Sequence, residues 1–273
     1  MHRTARSFAP PLVALLLLLA STALAAGPRL VRVPLGGAVT MGALLEAGLD
    51  VVGVRGGTVE LLEWPGDDAT LARLGASATV LDADPGRTQA ERARAELATR
   101  PRRAATRVWS ATRPDGVFRA EELPPPGLGS LGGFWTLAEI KMKLDLMVAS
   151  DTRALVADKL DTLGWSLHGR PIWGLQLGKA VVGPDTRPVA YYNSLTHARE
   201  PGGMHALFAF ADTLLARYDS DPEVRYLLDQ RRIYLVPCVN PDGYRFNQSI
   251  WDSTGNFGMW RKNLRDNNAN GVT

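Results

Sequence analysis

The stretch Val189-Ala190-Tyr191-Tyr192-Asn193-Ser194-Leu195-Thr196-His197-Ala198-Arg199-Glu200-Pro201-Gly202 decides how this chain is read. Val189 to Ser194 is uncharged and rich in β-branched and aromatic residues, which predicts a buried strand. Pro201 to Tyr218 predicts a helix. Proline suits the first helical turn, and Met204, Leu207, Phe208, Ala211 and Leu215 recur at helical spacing. Between them lies Thr196-His197-Ala198-Arg199-Glu200, where open α/β sheets place their ligand sites. An imidazole nitrogen and a carboxylate oxygen three residues apart suit one zinc ion, although a solvated surface pair fits the same spacing.

Around this stretch, residues 134–273 read as an α/β layer. Thr136 with Glu139 has the pattern of a capping box, and Leu137, Ile140, Leu144 and Met147 form an apolar stripe behind it. Leu163–Leu167 and Ile172–Leu177 are predicted strands around the turn His168-Gly169-Arg170-Pro171. A short helix over Glu223–Asp229 precedes a strand over Arg232–Val239. Asn240-Pro241-Asp242-Gly243 then has the chemistry of a turn, with Asp242 a turn former rather than a base. Strands alternating with helices predict a mostly parallel or mixed sheet with helices on both faces. Cys238 lies within an apolar strand and reads as a small core residue.

The preceding residues divide into three parts. Residues 1–25 have Arg3 and Arg6, an apolar run from Leu12 to Ala20 and a small-residue site at Ala23-Leu24-Ala25, the layout of a cleavable signal peptide. The run is too short to be a comfortable membrane anchor, so the mature chain is expected to be secreted or periplasmic without one. Residues 26–86 read β-α-β-β-α-β, a ferredoxin-like α+β domain. Residues 87–133 form an Arg- and Pro-rich linker, with a helix over Glu91–Leu97 and candidate protease sites from Arg100 to Arg107.

The formal net charge of the 273 residues is +3. Two Arg lie in the signal, which leaves +1. Seven Arg against Glu91 and Glu96 between Arg87 and Arg107 make a local +5, so the remainder carries −4. Basicity is confined to the export signal and the linker, where aromatic residues are not interleaved, and nucleic acid is excluded as a partner. One cysteine excludes an internal disulfide and a Cys-rich zinc module.

A third motif, Trp260-Arg261-Lys262-Asn263, brings an arginine that could hold an oxyanion, or a solvated basic patch. HARE at 197–200, VNPDGY at 239–244 and WRKN at 260–263, in this order, resemble the zinc carboxypeptidases of the funnelin type, related to pancreatic carboxypeptidases A and B. FWTLAEI at 134–140 and HGRPIWGL at 168–175 are weaker matches. The resemblance covers Phe134 to Thr273, 140 residues, and residues 30–84 look like the activation segment that precedes such enzymes. It implies one zinc ion per full-length catalytic domain, held by His197 and by Glu200, the latter bidentate. It makes Arg261 the oxyanion-stabilising catalytic residue and Arg199 a contact for the substrate chain. The implied reaction is zinc-assisted hydrolysis at peptide or protein C-termini.

Such a site takes three protein ligands. His168 sits in a strand-to-strand turn, and His205 lies five residues beyond Glu200, more than one helical turn on, so it is expected to point away from the metal. In the family the third ligand, the pair that grips the substrate carboxylate, a tyrosine and the general-base glutamate all come later in the chain. The expectation is an N-terminal fragment of an exported metallocarboxypeptidase, inactive as it stands. The alternatives are a non-catalytic binder of peptides or cell-wall fragments on the same scaffold, and amidase action on cell-wall peptides.

Overall fold

The computed structural model describes residues 27–99, 123–157 and 160–264. The chain divides into two compact units, Met1–Pro85 and Gly86–Thr273. The described residues form a mixed α/β protein with two four-stranded sheets and seven helices. The signal-like residues 1–25 and the candidate protease sites at 100–107 lie outside the described residues.

In the first unit the order is β1 (Arg29–Pro34), α1 (Met41–Glu46), β2 (Asp50–Arg55), β3 (Thr58–Glu63), α2 (Asp67–Arg73) and β4 (Thr79–Asp82). The sheet order is β2-β3-β1-β4, and every pairing is antiparallel. Gly56 and Gly57 both have positive φ, as a two-residue hairpin loop between β2 and β3 demands. Val31 and Val33 of β1, Val59 and Leu61 of β3, Leu44 of α1 and Leu71 of α2 close one apolar core. Helix α2 has no side-chain cap. Gly66 occupies the cap, and the Asp67 carboxylate accepts the Trp64 N–H at 2.9 Å.

The second unit opens with α3 (Pro85–Thr99), followed by α4 (Leu137–Ser150), β5 (Asp161–Trp165), β6 (Pro171–Leu177), β7 (Val189–Asn193), α5 (Gly202–Arg217), α6 (Pro222–Gln230), β8 (Arg232–Val236) and α7 (Pro241–Thr254). The capping box forms: Thr136 Oγ1 accepts from Glu139 N at 3.2 Å, and Glu139 Oε2 accepts from Thr136 N at 2.7 Å. Trp135, Ile140, Leu144, Leu175 and Phe208 are fully buried in one core. Leu123 and Leu131, inside the stretch read as linker, are buried with them. Arg94, within the Arg-rich run, lies over the Trp251 ring of α7 at 5.4 Å and donates to the Gly255 carbonyl.

Three features of the second unit matter for the site. The sheet order is β5-β6-β8-β7, and only the β7/β8 pairing is parallel. The sheet is therefore mixed, because β5 and β6 are joined by a tight turn that permits only antiparallel pairing. Secondly, β7 is an edge strand and is not buried: Val189 is 52%, Tyr191 53% and Tyr192 44% exposed. An uncharged β-branched and aromatic run has the same composition at an edge as at the centre of a sheet. Thirdly, Asn240-Pro241-Asp242-Gly243 starts helix α7 instead of making a turn. Asn240 is its N-cap, accepting from Gly243 N at 3.0 Å, and Pro241 occupies the first turn, where its missing N–H costs nothing.

Candidate metal centre

Parallel pairing sets the site. Strands β7 and β8 are in register from Val189 opposite Arg232 to Asn193 opposite Val236, so the segments that follow them leave the sheet side by side. Ser194 N donates to Val236 O at 3.0 Å, Val239 N to Ser194 O at 3.1 Å and Asn240 N to Leu195 O at 3.0 Å. The Ser194 hydroxyl donates to Pro237 O at 2.8 Å. Leu195 has φ of +50°, a left-handed conformation that a branched side chain adopts only when its surroundings impose it. Its side chain is buried, and that kink carries residues 196–200 away from the strand.

The metal-ligand candidates come together there. His197 Nδ1 and Glu200 Oε2 are 3.1 Å apart, and the side chains are 35% and 58% exposed. Glu200 N donates to His197 O at 3.1 Å, which closes the turn and holds both residues on one side of it. The carboxylate and the imidazole are thus bonded to each other and open to solvent.

The third motif is brought to the first by main-chain bonds. Ala198 N donates to Arg261 O at 3.0 Å, joining the peptide beside His197 to the segment that carries Arg261. The Arg199 guanidinium donates to Met259 O at 3.2 Å in the same segment. Helix α7 holds that segment from the other side. Asn240 Nδ2 donates to Lys262 O at 2.9 Å. Asn247 Nδ2 donates to Trp260 O at 2.8 Å, while Asn247 Oδ1 accepts from Trp260 N at 2.9 Å. Gly243 sits at the meeting point, where an added Cβ would lie 2.7 Å from Lys262 O and 2.9 Å from the Ala198 Cβ. Asn247 falls outside the sequence motifs, because a turn at Asn240-Pro241-Asp242-Gly243 would not present it, whereas helix α7 does. The spacing of the two asparagines by two helical turns is the signal that would have found Asn247.

The other polar candidates are placed elsewhere. Asp242 is 3% exposed and accepts from Ser166 Oγ at 2.8 Å, His168 N at 3.0 Å and Arg170 Nη1 at 2.7 Å. Burial alone would raise its carboxyl, but these hydrogen bonds outweigh burial and hold it below the usual carboxylate range. It is a structural anchor of the β5/β6 turn, neither a base nor a turn former. His205 packs edge-on to Trp135 at 4.8 Å and beside Phe134 at 5.6 Å. Burial depresses its pKa, against the opposing pull of Glu139, so it is a neutral packing residue. Burial pushes the Cys238 thiol well up, as befits a core side chain.

Known proteins match this region. The zinc carboxypeptidase family profile matches residues 151–272, which contain all three motifs. Residues 151–272 are similar to the zinc carboxypeptidases. Within the curated relatives, a zinc carboxypeptidase of Saccharothrix mutabilis subsp. capreolus is 30% identical over 111 residues, 41% of this chain and 25% of the relative. Carboxypeptidase A2 of Mus musculus is 32% identical over 133 residues, 49% of this chain and 29% of the relative. The matches thus span between a quarter and a third of those two relatives. The fold is shared with carboxypeptidase A from Helicoverpa armigera, at a TM-score of 0.54 and 19% identity, over 89% of this chain and 54% of that one. It is shared also with thrombin activatable fibrinolysis inhibitor, at a TM-score of 0.52 and 17% identity, over 89% and 56%.

The donor set fits zinc in kind. One nitrogen and one carboxylate oxygen converge at 3.1 Å, both accessible. They fill two protein positions. Among the described residues, no group of three or more His, Cys, Asp or Glu side chains is placed to hold a metal ion.

Proposed function

We propose that this chain supplies the first part of the active site of an exported zinc carboxypeptidase, with His197 and Glu200 as two of its three protein ligands. The observation that carries the reading is the 3.1 Å convergence of His197 and Glu200 at the end of β7. The peptide between them is bonded to Arg261 O, and the whole lies inside the family-matched segment.

In this reading each residue has a physical task. His197 presents a neutral imidazole and Glu200 a carboxylate to the cation. Zinc, when bound, supplies Lewis acidity. Arg261 stabilises the oxyanion that develops as the scissile carbonyl is attacked, and a preorganised cation does this without reorganising at the moment of reaction. Arg199 holds the substrate chain. The substrate is a peptide or protein C-terminus. The third ligand and the general-base glutamate are supplied by residues outside the 273 of this sequence, so the chain as it stands binds zinc weakly and does not turn over.

The remaining parts of the chain complete the proposal. Residues 1–25 act as the export signal. Among the described residues no helix is long and apolar enough to cross a membrane. Residues 26–86 form a ferredoxin-like activation segment, a reading supported by the antiparallel order β2-β3-β1-β4 with helices after β1 and β3. The stretch 87–133 is the joint, opened by a trypsin-like cut between Arg100 and Arg107.

Zinc titration against a chromophoric chelator tests the site. Weak binding by the native chain, lost in both His197→Ala and Glu200→Ala, is the expected result. Equal zinc binding by the native chain and both variants would overturn the ligand assignment. Robust, chelator-sensitive release of C-terminal residues from peptides by the 273-residue chain would overturn the placing of the missing ligand outside it.

A further inference from the structure

We propose that Asn247 is a positioning residue of the metal centre, which locks the Gly258–Arg261 segment so that Arg261 O, Arg199 and the His197–Glu200 turn stay in place. The proposal rests on the zinc-ligand reading above and extends it to a residue outside the three motifs that carry the resemblance.

The argument starts from a buried amide. Asn247 is 3% exposed on the inner face of α7, and a primary amide in that setting is costly unless both of its ends are paired. Both are paired to a single residue: Nδ2 to Trp260 O at 2.8 Å and Oδ1 to Trp260 N at 2.9 Å. Two parallel bonds to one residue fix its orientation as well as its position, which a single contact does not.

Three consequences spread from that grip. Met259 O, directly before Trp260, accepts the Arg199 guanidinium at 3.2 Å. Arg261 O, directly after it, accepts Ala198 N at 3.0 Å, the amide adjoining His197. Gly258 leaves room for the grip to close. A Cβ there would lie 2.4 Å from Asn247 Oδ1 and 2.5 Å from its Cα, which no rotamer change relieves because the Cα is backbone. The amide of Asn247 and the missing side chain of Gly258 are thus two halves of one lock. One strand of irregular chain, Gly258 to Arg261, transmits it to both arginines and to the ligand turn.

A structural asparagine and a positioning one differ in what they move. Asn247→Ala removes both bonds to Trp260, and zinc affinity is expected to fall at least about threefold, short of the roughly 10- to 100-fold that loss of a direct outer-shell partner costs. Asn247→Asp keeps the acceptor for Trp260 N–H but sets a buried carboxylate oxygen against Trp260 O, and is expected to show a fall no smaller than that of Asn247→Ala. Gly258→Ala opens the lock from the other side and is expected to match Asn247→Ala. The control is Tyr244→Phe on the same helix. It loses the buried bond from Tyr244 Oη to Trp135 O at 2.6 Å and lowers Tm, but is expected to leave zinc affinity unchanged.

The experiment is chelator-competition titration of the full 273-residue chain and these variants with zinc alone, with Tm measured on each. Unchanged zinc affinity in both Asn247→Ala and Gly258→Ala, or an equal fall in Tyr244→Phe, overturns the proposal. The His197→Ala variant separates the two ideas. If its zinc affinity equals that of the native chain, the ligand reading itself has failed, whatever Asn247 does.

Discussion

Asp242 shows how much a single side chain decides in this molecule. It sits in the first turn of α7, where a negative charge is favoured by the helix dipole, and reaches back to the β5/β6 turn through Ser166, His168 and Arg170. Its carboxyl is held below the usual range, so the folded state binds that proton less readily than the unfolded chain does. The stabilisation is therefore present above the unfolded carboxylate value of about 3.9 and is lost as pH falls through the lower folded value. Asp242→Asn is expected to lower stability at pH 7 by about 1–3 kcal/mol, since the half-buried Ser166 and Arg170 and the His168 N–H lose their anion. It should also flatten the acid limb below about pH 4. Denaturant melts of both proteins from pH 7 to pH 2 check this. An unchanged acid limb would show that other carboxylates dominate it. The composition of Asn-Pro-Asp-Gly revealed a chain reversal of some kind. It could not reveal that Asp242 is buried, because its partners lie more than seventy residues away in sequence.

At the scale of elements, α7 does the positioning and was the least legible part of the sequence. Asn before Pro with Gly two residues later satisfies both a β-turn and a helix start. The choice falls to the helix because residues 241–254 find a packed face, with Tyr244 and Asn247 buried. Gly243 tests that packing. Its neighbours come from three segments, namely the α7 cap, the 258–263 stretch and the ligand turn, and there is no space for a methyl group among them. Gly243→Ala is expected to cost about 1–3 kcal/mol, the usual range for overpacking a close contact. It should weaken zinc binding as well, because Ala198 is one of the atoms displaced. Thermal melts and chelator competition measure the two effects, and a fully native Gly243→Ala protein would contradict the convergence. By contrast α4 was readable from Thr136 and Glu139 alone. A capping box is local, four residues long, and needs nothing from the rest of the molecule.

For the molecule as a whole, the open question is the sheet of the second unit. Its edge strand β7 carries Val189, Tyr191 and Tyr192 exposed and no charge or proline to blunt it, a composition that invites pairing with another edge. Self-association that rises with concentration is expected for this chain, and Tyr191→Lys should suppress it by setting a charge on that edge. Light scattering across a dilution series measures both, and a monodisperse native chain at high concentration would contradict it. Much of the architecture was open to inspection residue by residue: helix α4 with its capping box, the β-α-β-β-α-β order of residues 26–86, the apolar stripes of α4 and α5 and the His197–Glu200 spacing. Each of these depends on neighbours within a few positions, so local periodicity and turn chemistry are enough to specify it. Folding supplied what depends on distant partners. It placed β7 at an edge, it made one pairing parallel so that two strand ends open together, and it drew Ala198 against Arg261 with Asn247 gripping Trp260. No local pattern encodes these, because a long-range hydrogen bond is settled only when the packing of the whole core fixes which backbone atoms meet.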